Sequence, residues 1–178
     1  ILLIAVMAGI SVAGRCLFFV IPGFKPVAAI TAITGFALGA EAGFLTGALS
    51  AIVSNIFFGQ GPWTPFQMFA WGMIGFMAGL AASEKYYTKK WFLVLFGALS
   101  GVFFSLTMDV WGAMSTNGVF TFEAYVLAIG TAIPFTVIYA VSNIIFLLFL
   151  TKPFIEKLNR VKKKFGLFKQ HAVTPTKE

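Results

Sequence analysis

The chain has little charge, one histidine and one cysteine, and each shortage excludes a class of protein. Charged residues make up 11% of the chain, against about 25% in an ordinary soluble domain. The single Cys16 excludes a disulfide framework within the chain. The one histidine, His171, stands in a polar tail, where we expect it to be solvated rather than to bind a metal.

Catalytic and nucleotide-binding motifs are also absent from the sequence. It contains no HExxH, no CxxC and no phosphate-binding GxxxxGK[ST]. We therefore predict that the chain is not an enzyme and holds no metal or other cofactor. Energy for any uphill step would come from another chain or from an ion gradient.

Apolar residues dominate what is present. They make up 59% of the chain, with 22 Phe and 18 Gly. Runs such as ILLIAVMAGI and NIIFLLFL do not alternate polar with apolar residues, as a transmembrane β-barrel would require. The sequence therefore predicts an all-α polytopic membrane protein, and its length allows about six transmembrane helices. Because the chain opens at Ile1 without a methionine, we also expect residues upstream.

Six apolar segments mark the predicted helices. The stretch 26–58 would be about 50 Å long as one helix, which is too long for a hydrocarbon core of about 30 Å, so we predict a break at residues 39–43. Thr64, Pro65 and Gln67 resemble a capping box at the start of the fourth helix. The predicted helices cover residues 1–20, 26–38, 42–58, 64–82, 91–111 and 122–150.

The basic residues predict the orientation. The link 83–90 and the segment 152–178 together carry eleven of the thirteen Lys and Arg residues. The positive-inside rule makes that side cytoplasmic, with both termini. We divide the chain into a membrane domain, 1–151, and a basic cytoplasmic tail, 152–178. Apolar residues at helical spacing in the tail fit either an amphipathic helix on anionic lipid or a charged flank.

The net charge of +7 follows from this topology and predicts no nucleic-acid partner. The opposite face would be formed by residues 22–25, 58–63 and 112–121. Ionisable groups inside membrane segments are costly and are therefore candidates for function. Arg15 and Asp109 would neutralise each other as a pair, or one of them would contact a ligand. Glu41 is expected at a cytoplasmic turn.

The segment 54–72, SNIFFGQGPWTPFQMFAWG, joins two apolar runs and is rich in polar and aromatic residues. Irregular backbone at membrane depth is tolerated where it is buried in protein or lines a cavity, so we predict a ligand site here. Its tryptophans would also fit an interfacial aromatic belt. The predicted substrate-binding residues are Phe18, Lys25, Asn55, Phe57, Gln60, Trp63, Gln67, Trp71, Asp109, Trp111 and Asn117.

Small residues recur every fourth position on several predicted helices. This spacing lets helix backbones approach closely in lipid, and we expect most of these glycines to pack inside the chain: Gly35, Gly39, Gly43, Gly47, Gly75, Gly79, Gly97 and Gly101. A similar ridge on the first helix, Ala5, Gly9 and Ala13, would serve either internal packing or docking to another membrane subunit.

With these features the sequence resembles the substrate-specificity (S) subunits of energy-coupling factor (ECF) vitamin transporters. The segment GQGPWTPFQMFAWG, with GFALGAEAGFLTGALS before it, is similar to members assigned to cobalamin uptake. In that family an AxxxA-type motif on the first helix meets the scaffold, and here a glycine replaces its central alanine.

The resemblance implies vitamin capture outside the prokaryotic plasma membrane and release inside. The subunit would dock on a transmembrane scaffold (T) subunit with two ATPases and would topple within the bilayer. Cobalamin is the first candidate ligand, and pantothenate or riboflavin are the alternatives. A self-sufficient secondary transporter remains a further alternative, with Asp109 as its only plausible coupling carboxylate.

Overall fold

A computed structural model describes residues 1–165, except for the side chains of residues 84, 85, 117 and 165. The predicted all-α class is confirmed, and the described residues contain no strand. Lys169, His171 and Lys177 of the predicted tail lie outside the described residues. The helices are α1 (Leu2–Leu17), α2 (Val27–Leu38), α3 (Ala40–Phe58), α4 (Thr64–Leu80), α5 (Glu84–Tyr87), α6 (Lys90–Asn117) and α7 (Phe122–Phe165).

The six longer helices correspond to the six predicted segments, and α5 is a single turn in the link before α6. Three segments are long and apolar enough to cross a bilayer: Ala40–Phe58, Lys90–Thr116 and Phe122–Lys164. By contrast, α2 has 12 residues, and all of them except Leu38 are buried. A helix this short is stable here because neighbouring helices, rather than lipid, surround it.

The break between α2 and α3 consists of a single residue, Gly39. Its φ of +97° lies in a region that residues with a Cβ rarely adopt. The sequence predicted a break within residues 39–43, but the helix resumes at once at Ala40. Glu41 therefore belongs to the first turn of α3, where its side chain is exposed.

The predicted glycine packing is confirmed where α2, α3 and α4 meet. A Cβ on Gly43 would collide with the backbone of Gly75, and a Cβ on Gly35 would collide with the backbone of both Gly75 and Gly79. Gly97 and Gly101 similarly lie against the α7 backbone at Ile144 and Ala140. Gly39 itself has nothing near its Cβ position and serves the turn instead.

The link between α1 and α2 lies much deeper than the sequence suggested. We expected residues 22–25 at the surface beside the other two links of that face. Instead, the Lys25 backbone N–H donates to Ser142 Oγ at 3.0 Å, and the Ser142 hydroxyl donates back to the Lys25 carbonyl. Ser142 lies 20 residues into α7, about 30 Å from its start. Because α1 and α2 are short, their link reaches only the middle of α6 and α7.

The end of the protein that contains the α3–α4 and α6–α7 links carries Trp63 and Trp111, and we call it the tryptophan end. The opposite, lysine end carries Lys89 and Lys90. At this end α7 continues without interruption past residue 151 as far as Phe165. Two prolines, Pro134 and Pro153, lie inside this long helix. Ile155 and Leu158 of its last turns are buried in the hydrophobic core. These two apolar residues of the predicted tail thus pack against protein.

We expect Gly75→Ala to destabilise the protein by about 1–3 kcal/mol, the usual cost of overpacking, because its Cβ would meet the Gly43 carbonyl group. The matched control is Gly130→Ala, where the added Cβ meets nothing within 4 Å and alanine is the better helix former. Thermal unfolding of both variants in detergent measures the difference. Equal midpoints would show that the α3–α4 contact tolerates a methyl group.

Candidate functional site

Arg15, in the last turn of α1, joins the ends of α1 and α3. One guanidinium nitrogen donates to Ser54 Oγ and to Asn55 Oδ1, the latter at 2.9 Å. The guanidinium carbon also lies 4.6 Å from the Phe58 ring centroid and 5.3 Å from that of Trp71. The pairing with Asp109 that the sequence allowed is not formed, because the hydrogen bonds of Arg15 go to neutral partners on α3.

Asn55 extends this contact to α4. Its side chain is fully buried, and its amide nitrogen donates to Thr64 Oγ1 at 2.9 Å and to Gln67 Oε1 at 2.8 Å. The amide oxygen accepts from Arg15. Asn55 therefore uses both of its amide N–H donors and its oxygen, and it fixes the relative positions of α1, α3 and α4 at this level.

The predicted capping box at Thr64 is wrong. The helix α4 begins at Thr64 with Trp63 as its N-cap, and no side chain caps it. The Gln67 side chain accepts from Asn55 instead of reaching back to a backbone N–H. The Thr64 hydroxyl donates to Gln60 Oε1 at 3.0 Å. Leaving Asn55 buried without hydrogen-bond partners would cost more free energy than leaving this helix end uncapped. The side chains of Thr64 and Gln67 therefore accept hydrogen bonds from Asn55 on α3.

Lys25 approaches the same region from the α1–α2 link. Its ammonium nitrogen lies 5.4–5.5 Å from the ring centroids of Trp71, Phe104 and Tyr139. Trp71 is 1% exposed and stacks on Phe104 with 5.3 Å between centroids and 10° between planes. The sequence allowed an outer-surface position for Lys25, but its charged group lies among these rings instead.

Trp71 is the residue that the two cations share. It lies within 5.5 Å of both the Arg15 and the Lys25 charged groups, and it is one turn of α4 from Gln67. We use the name Trp71 cluster for Arg15, Lys25, Asn55, Gln67 and Trp71. The cluster combines two positive charges, carboxamide groups and a buried aromatic surface.

The remaining predicted substrate-binding residues lie apart from this cluster or on its edge. Phe18 packs edge-on against Phe24 and Phe146. Phe57 is 70% exposed on α3. Gln60 lies in the exposed α3–α4 link and hydrogen-bonds to Ile52 and Thr64.

At the tryptophan end, the rings of Trp63 and Trp111 lie 6.5 Å apart. Asp109 is buried on α6. The backbone of Asn117 ends α6, and its side chain lies outside the described residues. The set predicted from the sequence thus falls into a central cluster and a separate aromatic rim, and its role in binding stays a prediction.

Sequence reasoning left several close neighbours out of that set. Arg15 was considered only as a possible ion pair or ligand contact. Phe104 and Tyr139 gave no signal that separates them from ordinary packing residues, and Thr64 pointed to a capping box instead. The available hint was local: Ser54 adjoins Asn55, and two adjacent polar residues near the end of an apolar helix predict a buried hydrogen-bonded partner.

A second candidate surface lies on the outside of α1. Ala5, Gly9 and Ala13 are exposed, whereas Met7, Ala8, Ser11 and Val12 of the same helix are buried. A Cβ built on Gly9 has nothing within 4 Å. Of the two roles that the spacing allowed for this ridge, internal packing among the described residues is therefore excluded.

We expect Asn55→Leu to destabilise the protein by about 1–3 kcal/mol for each buried partner that it leaves unsatisfied. Arg15, Thr64 and Gln67 all lose a hydrogen bond in this variant. The control is Gln60→Leu, which removes an amide from the exposed link. Comparison of the two unfolding midpoints tests the assignment, and a smaller loss for Asn55→Leu would contradict it.

Comparison with known proteins gives the family. The family model described as "ECF-type riboflavin transporter, S component" matches residues 1–156. No curated protein and no solved structure matches the chain. The match covers every helix except the end of α7 and agrees with the all-helical, strongly apolar architecture. The chain is a membrane protein that belongs to the ECF-type riboflavin transporter S component family, a transporter subunit rather than an enzyme.

Proposed function

We propose that this S subunit captures its vitamin at the Trp71 cluster. The observation that supports this most strongly is the convergence of Arg15, Lys25 and Asn55 around one buried tryptophan. Burying charged and amide groups inside a membrane protein costs free energy, and such groups are therefore candidates for function. The aromatic surface provides apolar contact, and the polar groups fix the orientation of the ligand.

The helix ends of the cluster are held in place before the ligand arrives. Arg15 and Asn55 hold the ends of α1, α3 and α4 together, so the polar groups are positioned before the ligand arrives. Such preorganisation reduces the entropy lost on binding. The deep α1–α2 link and the tryptophan end lie on the same side of the helices, so the ligand enters between the aromatic rim and this link.

The sequence supplies the direction of transport. The lysine end carries the basic residues that mark a cytoplasmic side, so the tryptophan end faces outward in the plasma membrane of a prokaryote. The vitamin is captured from outside and released inside. Release requires the whole subunit to topple after it docks on a T subunit with two ATPases, because the chain itself has no nucleotide-binding motif.

The outward ridge of α1 is our candidate for docking. The exposed Ala5, Gly9 and Ala13 offer a smooth strip where a facing helix approaches closely. The larger residues around them on α1, Val6 and Ile10, are also exposed. An apolar strip with a small-residue centre fits a membrane helix of another subunit.

Two vitamins are candidates on separate grounds. Riboflavin is named in the description of the matched family, and its planar ring suits the aromatic surface of Trp71. Cobalamin is supported by the resemblance of residues 59–72 to cobalamin-type members and by the aromatic rim of Trp63 and Trp111. Pantothenate remains the smaller alternative.

We expect the purified subunit to bind its vitamin in detergent without ATP or partner subunits. Titration with riboflavin, cyanocobalamin and pantothenate, with heat or fluorescence as readout, identifies the ligand. Trp71→Ala should weaken binding by about 1–3 kcal/mol, the scale of one large apolar side chain. Lys89→Ala, at the exposed lysine end, is the control. A strict need for ATP before any binding would exclude the proposal.

We expect Gly9→Leu to reduce uptake and assembly with the scaffold while binding by the solitary subunit persists. Leucine would hold a facing helix away from α1 but has free space within the subunit itself. Copurification of the T and ATPase subunits measures assembly. Loss of vitamin binding with the complex still assembled would assign the ridge to ligand capture instead.

A further inference from the structure

The two cations of the Trp71 cluster lie beside the same indole ring. Arg15 and Lys25 approach the same indole ring, at 5.3 Å and 5.5 Å from its centroid. Both side chains are partly buried, so water screens their repulsion less than at a surface. Like charges in such a site destabilise each other.

Among the side chains that the structure describes, which exclude that of residue 84, no acidic group forms an ion pair with either cation. The hydrogen bonds of Arg15 go to Ser54 and Asn55, which are neutral. The Lys25 ammonium faces the rings of Trp71, Phe104 and Tyr139. Asp109 does not pair with them, and its Oδ2 is buried without a hydrogen-bond partner among the described residues.

Arg15 and Lys25 have more hydrogen-bond donors than their contacts in the cluster use. A guanidinium has five N–H donors and an ammonium has three, while the described contacts of Arg15 involve only Nη1. Cation–π contacts stabilise a charge but accept no conventional hydrogen bond. Charge-assisted hydrogen bonds to an oxyanion would use these donors and relieve the repulsion.

We propose that the ligand of this subunit carries an oxyanion, a phosphate, phosphodiester or carboxylate group, and that Arg15 and Lys25 hold it together beside Trp71. This inference rests on the proposed capture of a vitamin at the Trp71 cluster. It ranks the candidates, because free riboflavin is uncharged, whereas cobalamin has a phosphodiester and pantothenate a carboxylate. Arg15 and Lys25 are then the residues that determine specificity for charge.

The first test compares two flavins that differ by one phosphate. We expect the purified subunit to bind riboflavin 5′-phosphate at least about tenfold more tightly than riboflavin, as charge-assisted hydrogen bonds imply. Lys25→Met should bring this ratio to within about threefold of one, and Lys89→Met should leave it unchanged. Equal binding of the two flavins, or tighter binding of riboflavin, would overturn the inference.

The second test needs no vitamin and decides the matter if neither flavin binds. Inorganic phosphate at about 20 mM should raise the unfolding midpoint of the wild type by about 3 °C or more over chloride of equal ionic strength. The rise should disappear in Lys25→Met and persist in Lys89→Met. A midpoint that phosphate does not raise, or that rises equally in all three proteins, would overturn the inference. Failure of flavin binding together with this phosphate effect would remove only riboflavin as the vitamin.

Discussion

The structure depends on the backbone contact between α3 and α4, where Gly43 and Gly75 face each other without side chains. In lipid the hydrophobic effect does not hold helices together, so close packing and internal hydrogen bonds must do so. This contact sets the register of the two helices. Three turns further along α3 it places Asn55 opposite Gln67, and the hydrogen bonds of Asn55 become possible. The polar part of the cluster is thus a consequence of glycine packing.

A second consequence concerns depth. With 16 and 12 residues, α1 and α2 are too short to match α6 and α7, so their link stays at the level of Ser142. Lys25 is drawn inward with it, and the surrounding rings take the place of water. An ordinary full-length pair of spans would have put this lysine at the surface. Short helices thus turn a loop residue into a central one.

Periodicity and composition predicted the six longer helices, a break within residues 39–43 and the packing glycines, because each depends on local sequence. The start of α4 was predicted wrongly, since Thr64 and Gln67 fit a capping box but bind Asn55 instead. That choice depends on a tertiary partner that spacing does not reveal. Likewise, Arg15 had Asp109 as an obvious partner by charge, yet its contacts lie on α3. Charge complementarity in a sequence says nothing about helix order in space.

In the proposed function, the helix α1 carries both a residue of the Trp71 cluster and the docking ridge. Its buried face, with Met7, Ser11 and Val12, packs inside the protein and leads to Arg15 in the cluster. Its other face carries the exposed ridge around Gly9. A partner that packs on this ridge therefore contacts the same short rigid helix that carries a cluster residue. Any tilt of α1 on docking would be transmitted to the Arg15 contacts with Ser54 and Asn55. This follows because Gly9 and Arg15 lie on the same helix of 16 residues, which is too short to bend much between these two positions. In the proposed function, docking and capture would then be coupled through this one short helix.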